Sequence, residues 1–110
     1  MSATALWGVY TARFPFLGVD LGKIRPVVVL SKPYGRHNII TVVPLSLKDK
    51  KESVDIALRD WREAGLIKPS VARIHRMTTI LQSDLIGYLG ELSAADKPSL
   101  QQALRILLNL

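Results

Sequence analysis

The sequence predicts a small, mainly antiparallel β barrel that carries one helix at its C-terminal end. Several short segments are rich in β-branched residues and are separated by turn residues such as Gly, Pro and Asn. This spacing is typical of small β domains. Only the last segment has the three-to-four-residue apolar period of a helix. We expect residues 1–110 to form a single domain, because neither a repeat nor a Pro/Gly/Ser-rich linker divides the chain.

The predicted strands follow one another in chain order. The first covers residues 7–13, and the two at the centre of the sheet cover the β-branched segments 27–30 and 39–43. Pro44 is expected to end the third strand and to start a loop that holds Ser46. Apolar alternation over 54–58 predicts a fourth strand with one buried face and Asp55 on the other. Residues 71–76 predict a fifth strand, which 78–80 prolong or follow.

The terminal helix has two possible starts. Ser93 is one N-cap candidate, and Asp96 is the other, because Pro98 is tolerated in a first helical turn. A shorter helical turn over 59–64 is expected to stop at Gly65. One apolar stripe predicts the buried face of the terminal helix, and it comprises Leu100, Ala103, Leu104, Leu107 and Leu108.

Composition and charge narrow the classes of function. The chain has 15 Lys and Arg against 9 Asp and Glu, a net charge of +6, which makes a polyanion a possible partner but does not establish one. The absence of cysteine excludes disulfides, thiol nucleophiles and thiolate metal sites. The sequence shows no secretion signal and no apolar stretch of the roughly 20 residues that span a bilayer. We therefore expect a soluble, cytoplasmic protein without a membrane partner.

Metal and cofactor chemistry have little support in the sequence. His37 and His75 are the only imidazoles, and neither belongs to a metal-ligand motif. Phosphate-binding loops need glycines between a strand and a helix, whereas the glycines here are expected in turns: Gly18, Gly22, Gly87 and Gly90. We therefore expect neither a metal nor a cofactor.

Three segment ends gather cations, a hydroxyl and one titratable ring, at residues 22–26, 44–46 and 70–76. If Arg73 and His75 share a strand, their side chains lie on the same face. Such a pair is suited to phosphodiester cleavage. A neutral imidazole accepts the proton of a ribose 2′-hydroxyl, and guanidinium groups stabilise the charge of the transition state.

The same segments resemble the MazF/PemK family of toxin endoribonucleases from bacterial toxin–antitoxin pairs. Residues 22–31 (GKIRPVVVLS) are similar to the family's G-x-x-R-P-V signature, and residues 42–46 (VVPLS) to its V-P-hydrophobic-T/S corner. Residues 65–71 (GLIKPSV) resemble its G-L-x-x-x-S-V segment, and 89–93 (LGELS) precede a terminal helix as in the family. The order and spacing of these segments carry the resemblance, which runs nearly end to end.

The resemblance implies an SH3-like barrel, usually a homodimer, that cleaves single-stranded RNA at short sequences without a metal ion and is blocked by an antitoxin. It makes Arg25 the residue that stabilises the transition state and Ser46 the contact to the scissile phosphate. Arg73 matches an arginine assigned as acid in some members, although electrostatic stabilisation suits a guanidinium better. His75 stands where an acidic residue commonly acts as base. The family-like D/E-Q-x-R-T stretch is changed further, because Arg76 replaces Gln and Thr78 replaces Arg.

RNA contacts are expected from the remaining cations and from the second histidine: Lys23, Arg36, His37, Lys48, Lys50, Lys51 and Arg76. Each assignment has a structural alternative. Arg25 can be a surface cation before a proline, Ser46 can bond to its own turn, and His75 can be an ordinary half-buried ring. Two other functions stay open at this point: a catalytically silent nucleic-acid-binding or regulatory barrel, and a gyrase-directed toxin on a related barrel.

Overall fold

A computed structural model describes residues 4–13, 23–47 and 52–110. Its strands form one antiparallel sheet, followed by the helix α1 (Asp96–Leu108). The strands are β1 (Gly8–Arg13), β2 (Ile24–Val29), β3 (Ile39–Ser46), β4 (Ile56–Ala57), β5 (Val71–Ala72), β6 (Thr78–Leu81) and β7 (Leu85–Glu91). Two 3₁₀ helices, Ile74–Arg76 and Gln82–Asp84, flank β6. No helix within these ranges is long and apolar enough to cross a membrane.

The sheet is ordered β4-β5-β3-β2-β1-β7, and β6 pairs with the first half of β3. This confirms the predicted class, mainly antiparallel β with a C-terminal helix, and the central position of β2 and β3. The sheet does not close on itself, because β4 and β7 stand at its two ends. The strand β3 organises the fold, since it pairs with β2 on one side and with β6 and then β5 on the other.

Two apolar clusters lie on opposite faces of the sheet. The first contains Val28 and Val43 and is covered by Leu100 of α1. The second contains Val27 and Val42, their direct chain neighbours. Successive side chains of a strand point to opposite faces, so central strands with both faces covered need uniformly apolar sequences. This explains why the β-branched segments of β2 and β3 were recognisable in the sequence.

The strand β3 runs through Pro44 to Ser46, so the prediction that Pro44 ends this strand is wrong. Within a strand the N–H and C=O of one residue point to the same neighbour. The Pro44 carbonyl accepts the Arg73 N–H at 3.0 Å, which places the backbone polar groups of Pro44 on the β5 side. The missing proline N–H therefore costs the ladder between β2 and β3 no hydrogen bond.

The predicted strand over 71–76 is also wrong in its second half. β5 ends at Ala72, and the chain then turns into the 3₁₀ helix Ile74–Arg76. Arg73 connects the two elements, with φ −87° and ψ 78°. Arg73 and His75 are therefore not alternate residues of one strand, and their proximity has another cause.

The fourth strand shrinks to Ile56–Ala57, and Asp55 precedes it with no exposed surface. The prediction that Asp55 lies opposite the buried face is therefore wrong. The alternating apolar pattern of residues 54–58 did not predict the burial of Asp55, because a carboxylate is buried only with partners, and these are distant in sequence.

The glycines expected in turns at 87 and 90 lie within β7 instead. A Cβ at Gly90 would lie 2.7 Å from the Ala64 backbone, so the strand packs directly on the turn at residues 59–65. Gly65 ends that turn with φ +81°, as predicted. Gly65 and Gly90 therefore allow the turn and β7 to pack closely.

The helix α1 begins at Asp96, and Ser93 Oγ accepts the Asp96 N–H at 3.1 Å. The alternative in which Asp96 caps the helix is wrong, since its carboxylate accepts the Arg59 and Asp60 N–H groups, each at 2.9 Å. The predicted apolar stripe is buried at Leu100 and Ala103 but exposed at Leu107 and Leu108. The last helical turn extends beyond the sheet's apolar cluster, which explains the difference.

Candidate functional site

The site begins with the register of the two central strands. Val27 of β2 pairs with Pro44 of β3, and carrying this register two residues further places Arg25 opposite Ser46. Both side chains lie on the face of the second apolar cluster, because strand side chains alternate with period 2. Directly opposed residues have Cβ atoms about 5 Å apart. The arginine and the hydroxyl, 21 positions apart in the sequence, are thus neighbours because of strand pairing.

Arg25 and Ser46 line a cleft with a volume of about 240 Å³. Lys68 adds a second cation, and Ser70 adds a second hydroxyl at the same cleft. The remaining lining is largely apolar: Ile24, Pro26, Leu45, Leu47, Leu66 and Ile67. The side chains of Ile24, Leu47 and Ile67 are largely exposed although they are aliphatic. The cleft therefore combines positive charge and hydroxyls with an apolar rim.

Arg73 lies directly behind Ser46. Its Nε donates a hydrogen bond to Ser46 Oγ at 2.8 Å, and only 4% of the residue is exposed. A serine hydroxyl has one proton to donate and two lone pairs to accept with. Because Arg73 occupies a lone pair, it orients the hydroxyl and leaves the O–H proton available to an acceptor. Arg73 thus connects the segment 70–76 to the cleft through Ser46.

The buried carboxylate of Asp55 joins Arg73 to His75. Asp55 Oδ2 accepts from Arg73 Nη1 at 2.7 Å, and Asp55 Oδ1 lies 2.9 Å from His75 Nδ1. Asp55 Oδ2 also accepts the Glu52 N–H at 3.2 Å. The His75 side chain retains 31% of its surface exposed. Three contacts therefore link Ser46, Arg73, Asp55 and His75 in a continuous polar chain.

Sequence reasoning missed Asp55 and Lys68. The signal that could have identified Asp55 is its position as the only acid in the apolar stretch 54–58, because a charged residue is seldom placed in a strand of this kind without a partner. Lys68 lies within the motif at residues 65–71, which joins the turn beneath β7 to β5. Neither signal shows what the residue contacts, because Asp55 pairs with Arg73 and His75 and Lys68 lines the same cleft as Arg25, all of which come from other segments of the chain.

The structure does not bring all the expected RNA contacts together. Lys23 is exposed two residues before Arg25, and Arg76 is exposed at the end of the 3₁₀ helix. Arg36 and His37 lie in the exposed turn between β2 and β3, at the far end of β3 from Ser46. Seven residue steps of about 3.3 Å separate those ends by up to about 23 Å. Lys48, Lys50 and Lys51 lie outside the described residues, as do the expected turn glycines Gly18 and Gly22.

The arrangement is chemically suited to an anionic group. Arg25 and Lys68 supply positive charge, and Ser46 supplies a hydrogen-bond donor whose orientation Arg73 fixes. His75 does not line the cleft itself; its partly exposed imidazole is connected to Ser46 through Asp55 and Arg73. Charge-assisted hydrogen bonds of this kind are the stronger class of polar contact. The molecule is thus an antiparallel β protein with a cationic, hydroxyl-bearing cleft where the start of β2 and the end of β3 meet residues 66–70.

The chain belongs to the family of PemK-like, MazF-like toxins of type II toxin–antitoxin systems, whose model matches residues 6–108. Comparison with curated proteins gives no significant match. Among solved structures, the toxin MazF-mt6 of Mycobacterium tuberculosis is similar, with 25% identity, 94% of this chain and 97% of that chain covered, and a TM-score of 0.74.

Two further structures share the fold at lower identity. MazF in the MazE–MazF structure from Deinococcus radiodurans is 19% identical, with 100% of this chain and 99% of that chain covered and a TM-score of 0.76. A mycobacterial endoribonuclease in complex with its cognate antitoxin is 22% identical, with coverages of 100% and 97% and a TM-score of 0.74. At this identity the likeness concerns the architecture alone.

Proposed function

We propose that this toxin is an endoribonuclease that cleaves single-stranded RNA at short sequences without a metal ion. The observation that carries the proposal is the convergence of Arg25 and Ser46 on one cleft, with Arg73 hydrogen-bonded to Ser46 from behind. One guanidinium group, one ammonium group and a hydroxyl line the cavity, and a second, buried guanidinium supports the hydroxyl; this arrangement matches the charge and geometry of a phosphodiester group. The family membership and the endoribonuclease relatives of the same fold support it.

In the proposed reaction, His75 accepts the proton of a ribose 2′-hydroxyl, and the 2′-oxygen attacks the adjacent phosphorus. Arg25 neutralises the charge that develops on the phosphorane, and Ser46 donates its O–H to a non-bridging oxygen. The bond between phosphorus and the 5′-oxygen breaks, and the leaving oxygen takes up a proton from water. The products are a 2′,3′-cyclic phosphate and a 5′-hydroxyl.

Arg73 has a supporting role in this scheme. Its guanidinium is buried and contacts both Ser46 and Asp55. A guanidinium hardly loses its proton in water, and this one already donates to two protein groups. Arg73 therefore orients Ser46 and contributes positive charge, rather than transferring a proton.

The surroundings of the cleft suit an RNA strand. Lys68 and the nearby exposed Lys23 add positive charge for the backbone, which makes binding dependent on salt. The exposed aliphatic side chains of Ile24, Leu47 and Ile67 offer apolar surface to unstacked bases. RNA binding is thus expected to combine electrostatic attraction with apolar base contacts.

The protein is further proposed to be a cytoplasmic single-domain homodimer that is neutralised by a cognate antitoxin. Relatives of the same fold were solved as toxin–antitoxin complexes, which supports the antitoxin partner. Exposed apolar side chains at the end of α1 provide surface for association: Ile106, Leu107, Leu108 and Leu110. Sedimentation of the purified toxin with and without the antitoxin measures both assemblies.

The test is cleavage of a mixed-sequence, single-stranded RNA in the presence of EDTA. We expect cleavage with cyclic phosphate ends and growth arrest on expression. Arg25→Ala should lower the rate by roughly 10²- to 10³-fold, as for the loss of one oxyanion donor. Arg105→Ala, on the exposed surface of α1, is the charge-matched control and should leave the rate unchanged.

Intact RNA across many sequences would reject the enzyme assignment. Salt-sensitive RNA binding without cleavage would then favour the silent binding barrel. Growth arrest that survives Arg25→Ala and is accompanied by DNA damage would favour a gyrase-directed toxin.

A further inference from the structure

Asp55 lies between Arg73 and His75, and the proposed reaction steps assign it no role. Its carboxylate is fully buried and lies between a permanently charged group and a titratable ring. Asp55 Oδ2 accepts a hydrogen bond from Arg73 Nη1 at 2.7 Å, and Asp55 Oδ1 lies 2.9 Å from His75 Nδ1. The ring itself remains partly exposed. Asp55 is therefore placed to act on His75 from the protein interior.

The contact with Arg73 determines which atom of the His75 ring carries a hydrogen. Arginine stays protonated in proteins, so a carboxylate at 2.7 Å from it is ionised and can only accept hydrogen bonds. His75 Nδ1 must then be the donor to Asp55 Oδ1. In the neutral ring the lone pair is consequently on Nε2, the nitrogen on the far side of the ring from Asp55.

We propose that Asp55 is a positioning residue that fixes the tautomer and orientation of His75 so that Nε2 is the general base. This inference rests on the proposed endoribonuclease function. It extends that function by assigning the base to one atom and its control to a residue 20 positions away in the sequence. The same carboxylate holds Arg73, and Arg73 holds Ser46, so one buried acid aligns the base and the phosphate-binding hydroxyl.

The variant Asp55→Asn tests this role because its amide can accept from Arg73 Nη1 and from the Glu52 N–H only if the amide oxygen takes the place of Oδ2. Arg73 Nη1 and the Glu52 N–H are both donors at the Oδ2 position, so the amide oxygen must occupy it. The amide NH₂ then faces His75 Nδ1 and donates to it. The ring is forced into the opposite tautomer, with the hydrogen on Nε2 and no lone pair on that atom.

The first readout is the tautomer itself, measured by ¹⁵N NMR of the imidazole nitrogens above neutral pH. The chain has only two histidines, so the exposed His37 serves as internal reference and His75→Ala assigns the other signals. We expect Nδ1–H in the unmodified toxin and Nε2–H in Asp55→Asn. Asp84→Asn is the matched control, because this acid accepts the Leu81 N–H far from the site, and it should leave the His75 signals unchanged.

The second readout is cleavage. A histidine base held in the wrong tautomer costs on the order of 10⁴-fold in rate. In a His75→Ala background, Asp55→Asn should add no more than about a twofold loss, because the base is absent and the amide oxygen still accepts the hydrogen bond from Arg73 Nη1. Equal losses in both backgrounds would mean that Asp55 acts on stability alone, and this result would overturn the proposal.

The NMR measurement keeps the two proposals separate. A toxin that cleaves no RNA but carries Nδ1–H on His75 contradicts the function and leaves the tautomer assignment intact. An active toxin with Nε2–H on His75 retains the function and overturns the role of Asp55. The measurement on the unmodified protein decides the tautomer even if Asp55→Asn fails to fold.

Discussion

The two ends of β3 carry similar residues in different environments. The turn before Ile39 holds Arg36 and His37, and both are exposed. The segment paired with the other end of the strand holds Arg73, which is buried, and leads into His75, which remains half accessible. Each end thus has an arginine and a histidine within three residues of each other, and only one of them is organised around a buried carboxylate.

Residue type alone therefore does not define this site. An exposed arginine is hydrated and mobile, and a contact that it makes is screened by salt. A buried arginine must be paired, since an isolated charge in the interior is costly. Asp55 provides this pair and at the same time contacts a titratable ring. Burial therefore converts an ordinary pair of residues into a fixed geometry at one end of the strand.

The largest effect should come from removing the buried cation. Arg73→Ala leaves Asp55 as a buried acid without its guanidinium, and we expect a loss of roughly 3–5 kcal/mol in the free energy of unfolding. The counterpart Arg36→Ala, at the exposed end, should change it by less than about 0.5 kcal/mol. Urea unfolding measures both variants. Equal stabilities would mean that the two ends do not differ as described.

The two histidines should differ in their effect on the rate of cleavage. His75→Ala removes the proposed base and should lower the rate by about 10²- to 10⁴-fold. His37→Ala should leave the rate unchanged and alter at most the affinity for RNA. Single-turnover rates measure both variants, and a rate that depends on His37 instead would place the reaction at the other end of β3.

The smallest of these effects concerns the hydroxyls near each end. Ser46→Ala removes a hydrogen bond to a charged phosphate, worth about 1.5–3 kcal/mol, and should lower cleavage by roughly tenfold or more. Ser46→Thr keeps the hydroxyl and should restore the rate. Ser31 bonds the Thr41 N–H at 2.9 Å in the first half of the strand, and Ser31→Ala should affect stability but not cleavage. Initial rates with saturating RNA distinguish these outcomes.

The parts of the fold that depend on local pattern could be predicted from the sequence. The central strands were recognisable because both faces are covered, and the helix because its apolar period is regular. Strand ends were predicted wrongly where the direction of the backbone polar groups decides them. Pro44 stays within β3 because its backbone polar groups are on the β5 side, where the missing N–H costs β2 no hydrogen bond. The strand β7 was not predicted from its pattern, because Gly87 and Gly90 resemble turn residues. That Gly90 gives room to the Ala64 backbone is visible only in the folded structure.

The site was predictable in part. Arg25, Ser46, Arg73 and His75 were selected from chemistry and from ordered motifs, and the polar chain joins three of them with Asp55. The reason given for the proximity of Arg73 and His75 was wrong, because they share a carboxylate and not a strand face. Asp55 itself was missed, since an acid within an apolar stretch does not reveal whether it faces water or a buried arginine.

The class of fold, the family and the chemical character of the site follow from the amino-acid sequence, because they depend on apolar periodicity, motif order and residue type. Which side chains meet depends on the folded chain. Strand register placed Arg25 opposite Ser46, and burial forced Asp55 to pair with Arg73. The physical reason is that periodicity is a local property of the chain, whereas the pairing of buried charges depends on residues that only folding brings within hydrogen-bond distance.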